Sequence, residues 1–225
     1  MWASRRQRGQ QAGAPLARED AVSSAPYDTR FRRLIGSENW ERLPNAVQRR
    51  FSKRLGANSV VCYRGVIEKT RHSRLGRALA QFCRLVGGPL PLYPDTAVPA
   101  VVIVSEDMAS GGQCWTRIYA RKHGFPQVIH SAKRFAGPTG LEEYLGKDLG
   151  MALRVYAEPD GLVFRSDHYF LLIGRMRIKL PHWIGPGNTT VRHRDLGGGR
   201  FAFELDVDHP LFGKLVHQRA IFSDD

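Results

Sequence analysis

The sequence predicts an α+β domain: a curved antiparallel sheet or partly closed β-barrel of about nine strands, with two or three N-terminal helices packed on it. Three observations predict it. From Leu149 to Phe222 the chain reads as consecutive strands broken by short turns, with almost no helical periodicity. Helical spacing of apolar residues is confined to the chain before residue 90, and helices followed by a strand meander argue for α+β. Within the meander, Arg200 to Asp208 alternates strictly: Phe201, Phe203, Leu205 and Val207 share one face, and charged residues take most of the other.

Residues 1–27 are rich in Arg, Gln, Gly, Ala and Ser and poor in core-forming side chains, so a disordered basic tail is expected there. A single domain is expected over 28–225. Asp28 suits the cap of a short helix carrying Phe31, Leu34 and Ile35. Pro44 suits the first position of a helix to Leu55, with Val47, Phe51 and Leu55 on one stripe. Val60 to Lys69 is the first strand. Ser73 then caps a helix whose Leu75, Leu79, Phe82 and Val86 form an apolar stripe, ended by Gly87-Gly88, and prolines at 89, 91, 94 and 99 keep the next link extended.

Val98–Asp107, Gln113–Arg121 and Gln127–Phe135 read as three further strands. Leu141–Gly150 is ambiguous between a helical turn and a strand, because Leu141, Tyr144 and Leu145 fit a turn while two glycines resist a long helix. Glu158-Pro159-Asp160-Gly161 is a hairpin reversal between Met151–Ala157 and Leu162–Phe170. Gly197-Gly198-Gly199 marks another turn.

No apolar run approaches the roughly 18 to 20 residues of a spanning helix, and no secretory leader is evident, so a cytoplasmic location is expected. Cys62, Cys83 and Cys114 are far apart and odd in number, which argues against a disulfide framework or a zinc site and for buried thiols. The formal net charge is +13, and residues 1–56 carry 12 Lys and Arg against 5 Asp and Glu. A basic arm of that kind attracts nucleic acid or an anionic membrane.

The residues that invite chemistry lie on strands. Trp115, Arg117 and Tyr119 share one face; turned inward, they make Arg117 a cation flanked by rings, in need of a carboxylate or an anionic ligand. His130 and Arg134 share a face of the next strand. His168 is placed with Phe164, Phe170 and Leu172 on an otherwise apolar face, where it is a packed core residue or an acid–base group. Arg175, Arg177 and Lys179 form a basic ribbon that suits a phosphate or a lipid head group. His193-Arg194-Asp195-Leu196 mimics a kinase loop, but Arg200 stands where the metal-binding asparagine belongs. Asp206, Asp208 and His209 are weak metal candidates, since the two aspartates are the polar half of an alternating strand; no metal is expected. Neither a dinucleotide fingerprint nor a phosphate-cradling loop is present, so no cofactor is expected.

The chain carries Phe31-x-x-Leu34, Trp40-x-x-Leu43-Pro44, Trp115-Thr116-Arg117 with Tyr119, the turn at Gly161, Phe170–Pro181 with Gly174, Phe201-x-Phe203, and Pro210-Leu211-Phe212-Gly213-Lys214-Leu215. Together these spaced pieces resemble a bacterial family, the domain of unknown function number 4166. The likeness covers roughly 28 to 222. It departs at His217-Gln218-Arg219-Ala220-Ile221, where the family has an aromatic-rich strand. It implies no catalytic residues, although members are found joined to oxidoreductase-like domains.

The function expected from these readings is non-enzymatic binding of a small apolar or acidic-amphipathic ligand, contacted by Trp115, Arg117, Tyr119, His130, Arg134 and His168. The alternatives are an enzyme using His168 or His130 as general base beside Arg117, and nucleic-acid or anionic-membrane association through the basic N-terminus.

Overall fold

The computed structural model describes residues 27–56, 59–146, 148–174, 176–181 and 185–224. The tail expected at 1–27 falls outside them as far as residue 26, and Tyr27 joins Lys53 in an antiparallel bridge. Eleven strands follow in order: β1 (Val60–His72), β2 (Val98–Asp107), β3 (Gly112–Tyr119), β4 (Gln127–Arg134), β5 (Leu141–Tyr144), β6 (Leu149–Glu158), β7 (Gly161–Ile173), β8 (Met176–Lys179), β9 (Asn188–Gly197), β10 (Arg200–His209) and β11 (Gly213–Ser223). Neighbours run β6-β5-β4-β3-β2-β1-β11-β10-β9-β7, and β6 pairs with β7 again. The sheet is therefore a closed ten-stranded antiparallel barrel, with β8 hydrogen-bonded to the last residues of β7 outside the ring.

Closure goes further than the partly closed barrel expected from sequence. The ambiguous stretch Leu141–Gly150 supplies β5 and the first residues of β6, and Leu141 pairs with Leu153 in the register that completes the ring. Closure also removes the unpaired edges that an open sheet would present. Ten strands enclose a wider interior than the eight that side chains alone can fill. Space for a cavity follows from that number.

One end is plugged by α1 (Arg30–Ile35), α2 (Ser37–Glu41) and α3 (Asn45–Phe51). Phe31, Trp40, Val47 and Phe51 are buried there against Leu141, Leu153, Leu162 and Phe164. Asp28 accepts the Arg30 N–H at 2.9 Å, as its place before the helix requires. The helix foreseen to Leu55 stops at Phe51, because the Ser52 carbonyl turns away to accept the Asp28 N–H at 2.7 Å.

The other end carries a cap made of α4 (Arg74–Phe82), the 3-10 turn Cys83–Val86 and the proline link after it. Ser73 Oγ accepts the Gly76 N–H at 2.9 Å, the N-cap expected of it. The packing face differs from expectation. Gly76 and Ala80 are the buried residues of α4, whereas Leu75 and Phe82 of the foreseen apolar stripe are exposed. The reason is close approach: a Cβ on Gly76 would sit 1.9 Å from the Leu215 carbonyl of β11, so the helix docks by its small residues, with Leu79 and Val86 of the stripe partly buried beside them and Leu75 and Phe82 turned to solvent. Across the mouth, Gly146 in the β5–β6 turn leaves room for the Val86 carbonyl, which a Cβ would meet at 2.1 Å. Gln127 ties the returning link to β4, donating to the Leu90 carbonyl and accepting from the Leu92 N–H, both at 2.9 Å. The cap thus spans the opening from β11 to the β5–β6 turn.

Candidate functional site: a charged cluster inside a capped barrel

A cavity of about 120 Å³ lies inside the barrel under the cap. Its wall is mostly apolar: Val102, Trp115, Ile129, Met151, Phe164, Phe203 and Phe222 surround it, and Cys83, Leu90 and Leu145 close the capped side. A dry cavity of roughly 150 Å³ admits a benzene-sized molecule, so this one is of the same order.

The polar exception is built by register. Arg117 of β3 stands opposite Ile129 of β4, Trp115 opposite Ser131, and Lys133 of β4 opposite Glu143 of β5, which puts every one of these side chains on the inner face. Glu143 gathers three partners. Its Oε2 lies 3.0 Å from Lys133 Nζ, and its Oε1 accepts from Ser131 Oγ at 2.7 Å and from Arg117 Nη2 at 3.2 Å. Lys133 Nζ also stands 4.6 Å from the centre of the Trp115 ring, and the Arg117 guanidinium 5.9 Å from it.

Burial alone would raise the Glu143 carboxyl, but Lys133 and Arg117, with the Ser131 hydroxyl, outweigh it and hold the group at about 2. Lys133 goes the other way: burial pushes its ammonium below the usual lysine range, Arg117 adds to that, and Glu143 offsets it in part. Two cations therefore share one carboxylate. Glu204 also borders the cavity, but its carboxylate is engaged by Arg219 at 3.0 Å on the barrel exterior. Deeper under the cap, Tyr169 hydroxyl meets Thr189 Oγ1 at 2.6 Å, and burial raises the phenol to about 12.

Of the six candidate residues from sequence, Trp115, Arg117 and Tyr119 line the cavity. The other three lie outside the barrel. His130 is exposed on the outer face, 3.1 Å from Thr116 Oγ1. Arg134 pairs with Asp107 at 2.9 Å and lies over the Tyr144 ring. His168 binds Asp167 at 2.7 Å. The face assigned to His168 is corrected by a β-bulge: β6 pairs Leu153 with Ser166 and Ala152 with His168, so one extra residue intervenes in β7. Phe164 consequently faces the cavity and His168 turns outward with Phe170, because a one-residue shift exchanges faces. An enzyme with either histidine as general base beside Arg117 is thereby excluded, since base and cation stand on opposite sides of the sheet.

Lys133, Ser131 and Glu143 were missed. The first two were legible as the alternate face to His130 and Arg134, and Glu143 was hidden in the ambiguous stretch. Within the basic ribbon, Arg175 lies outside the described residues and Arg177 binds Glu142 at 2.5 Å. Asp206, weighed as a metal ligand, is engaged by Lys214 at 2.7 Å, His217 at 3.0 Å and Arg192 at 3.0 Å.

Fold and interior together define the class: a capped, closed ten-stranded β-barrel with a charged cluster on an apolar inner wall. A family model described as Domain of unknown function (DUF4166) matches residues 43–222, and the chain belongs to that family. A search of the curated proteins finds no match. Among the described residues no helix is long and apolar enough to cross a membrane.

Proposed function

We propose that the barrel binds a small acidic-amphipathic ligand, with its apolar body in the cavity and its anionic group between Arg117 and Lys133. The observation that carries this reading is the charge count of the inner wall: Arg117 and Lys133 against Glu143 alone. An uncompensated cation in an apolar enclosure is costly, and a carboxylate or phosphate supplied by a ligand relieves that cost. The aromatic and aliphatic wall favours an apolar body, as small-molecule sites generally do. The Ser131 hydroxyl donates to Glu143, but that carboxylate is held at about 2 and is too weak a base to activate it, which favours binding over catalysis; Cys83 at the cavity has its thiol pushed up by burial.

Native mass spectrometry of the full chain purified from its own host tests the proposal. A retained small acid, lost from an Arg117→Gln variant, is the expected result. Protein that carries only neutral lipid, or an acid that Arg117→Gln retains equally, contradicts it.

A further inference from the structure

The capped end of the barrel differs from the plugged end in what it exposes. Phe82 and Leu85 on the cap are 66% and 78% exposed, and Phe125 in the β3–β4 turn is 92% exposed. Ile173 beside the β7–β8 turn and Leu211 and Phe212 in the β10–β11 turn are exposed as well. Strand direction places all four segments at the same end: His72 of β1 pairs with Val216 of β11, Tyr119 of β3 pairs with Gln127 of β4, and the last residues of β7 pair with the first of β6. Apolar tips therefore surround the mouth from four separate stretches of chain.

Two of these four segments are also basic. Arg74, Arg77, Arg84 and Lys122 are exposed, and among the described residues no carboxylate pairs with them. At the plugged end Arg30, Arg32, Arg42 and Arg50 each hold a carboxylate, while Arg33, Arg49, Lys53 and Arg54 are exposed and without one among the described residues. It is therefore the ring of apolar tips beside cations, not charge alone, that sets the capped end apart.

We propose that the capped end docks on an anionic lipid bilayer, with α4, the turn after it and the three strand turns entering the headgroup region. Cations beside protruding apolar side chains are the combination that an anionic interface rewards: the cations are drawn by its surface potential and the apolar tips enter the acyl boundary. A fluid surface tolerates separate tips at uneven heights, which a rigid protein partner does not. Nucleic acid would use the cations and leave Phe82, Leu85 and Phe125 in water. The surface is distinct from the cavity, so docking stands whether or not a ligand is bound inside.

Co-sedimentation of the full chain with phosphatidylcholine vesicles, and with vesicles of equal parts phosphatidylcholine and phosphatidylglycerol, tests this. Binding to the mixed vesicles alone, weakening as salt rises, is expected. Arg74→Gln with Arg77→Gln is expected to lower the partition about thirtyfold, and Phe82→Ser with Leu85→Ser about tenfold or more. All four side chains are exposed, so the variants keep their melting temperature. Val60→Ser with Met108→Ser, at exposed apolar sites of the plugged end, should bind as the parent does. Equal binding to both vesicle types, no binding, or mouth variants that bind like the parent through some other part of the chain would each overturn the proposal. So would tight binding to single-stranded RNA that leaves the vesicles without effect.

Discussion

Lys133 and Glu143 face each other across β4 and β5, Nζ to Oε2 at 3.0 Å, with both side chains nearly sealed from solvent. They are not a closed pair, because Arg117 leans on the same carboxylate. Removing the carboxylate leaves two cations facing each other in an apolar enclosure. Glu143→Gln is therefore expected to cost about 3 kcal/mol or more. Arg117→Met, Lys133→Met and Glu143→Met combined, which removes all three charges of the cluster, should cost much less. Urea denaturation of the two variants checks the order, and a triple variant as unstable as the single one contradicts it.

Acid should unfold the protein in two stages, each with a named source. His193 is fully buried between Phe51, Phe201 and Phe203, and burial, followed by Arg50, depresses its imidazole to about 3. A group whose folded pKa lies below its unfolded value gives stability that is present above the unfolded value and lost as pH falls toward the folded one. For His193 that window runs from about 6.5 down to about 3. For Glu143 it runs from about 4.5 down to about 2. His193→Phe should flatten the loss between neutrality and pH about 5, above the window of Glu143. Denaturation midpoints across that range in parent and variant are the check.

The cap is held by close backbone approach, so a methyl group should loosen it. Gly76→Ala places a carbon where the Leu215 carbonyl lies, and relief requires α4 to move off β11. The expected cost is about 1 to 3 kcal/mol. Cys83, buried beneath the cap, should then react with a maleimide about tenfold faster or more, because its protection is local and not global. Peptide mass spectrometry of the labelled chain reads this directly, with exposed Cys62 as the internal reference. Unchanged Cys83 labelling would show that the cap is held elsewhere.

Filling the cavity should abolish binding without touching the charges. Ala220 is buried on β11 and borders the empty space. Ala220→Leu adds volume there at a cost of about 1 to 3 kcal/mol if the wall must adjust. A folded variant that no longer retains a ligand is the expected result, read by native mass spectrometry beside a melting curve.

The strands that the sequence shows most clearly are those with long, strict alternation. Phe201, Phe203, Leu205 and Val207 mark the inner face of β10 and are packed or lining as the pattern requires. The same logic puts Trp115, Arg117 and Tyr119 on one side of β3, and it needs only the closed ring to decide that the side is the inner one. What was illegible has physical causes. β5 is four residues long, too short to display a period, and Glu143 sits on it. The bulge at Asp167 is a local change of pairing that leaves no trace in hydrophobicity, yet it moves His168 across the sheet. Helix α4 carries an apolar stripe that reads as a buried face, and only the contact of Gly76 with Leu215 reveals that the small residues pack closest, leaving Leu79 and Val86 partly buried and Leu75 and Phe82 exposed.

Calorimetric titration of the full chain with benzoate and with benzyl alcohol tests the central claim most directly, because the two share an apolar body sized for the cavity and differ in charge. Benzoate should bind about tenfold tighter or more, the preference should vanish in Arg117→Gln, and the affinity should fall at high pH as Lys133 loses its proton. Equal affinity for the two compounds, or a preference that Arg117→Gln leaves intact, would contradict an anion site on the inner wall.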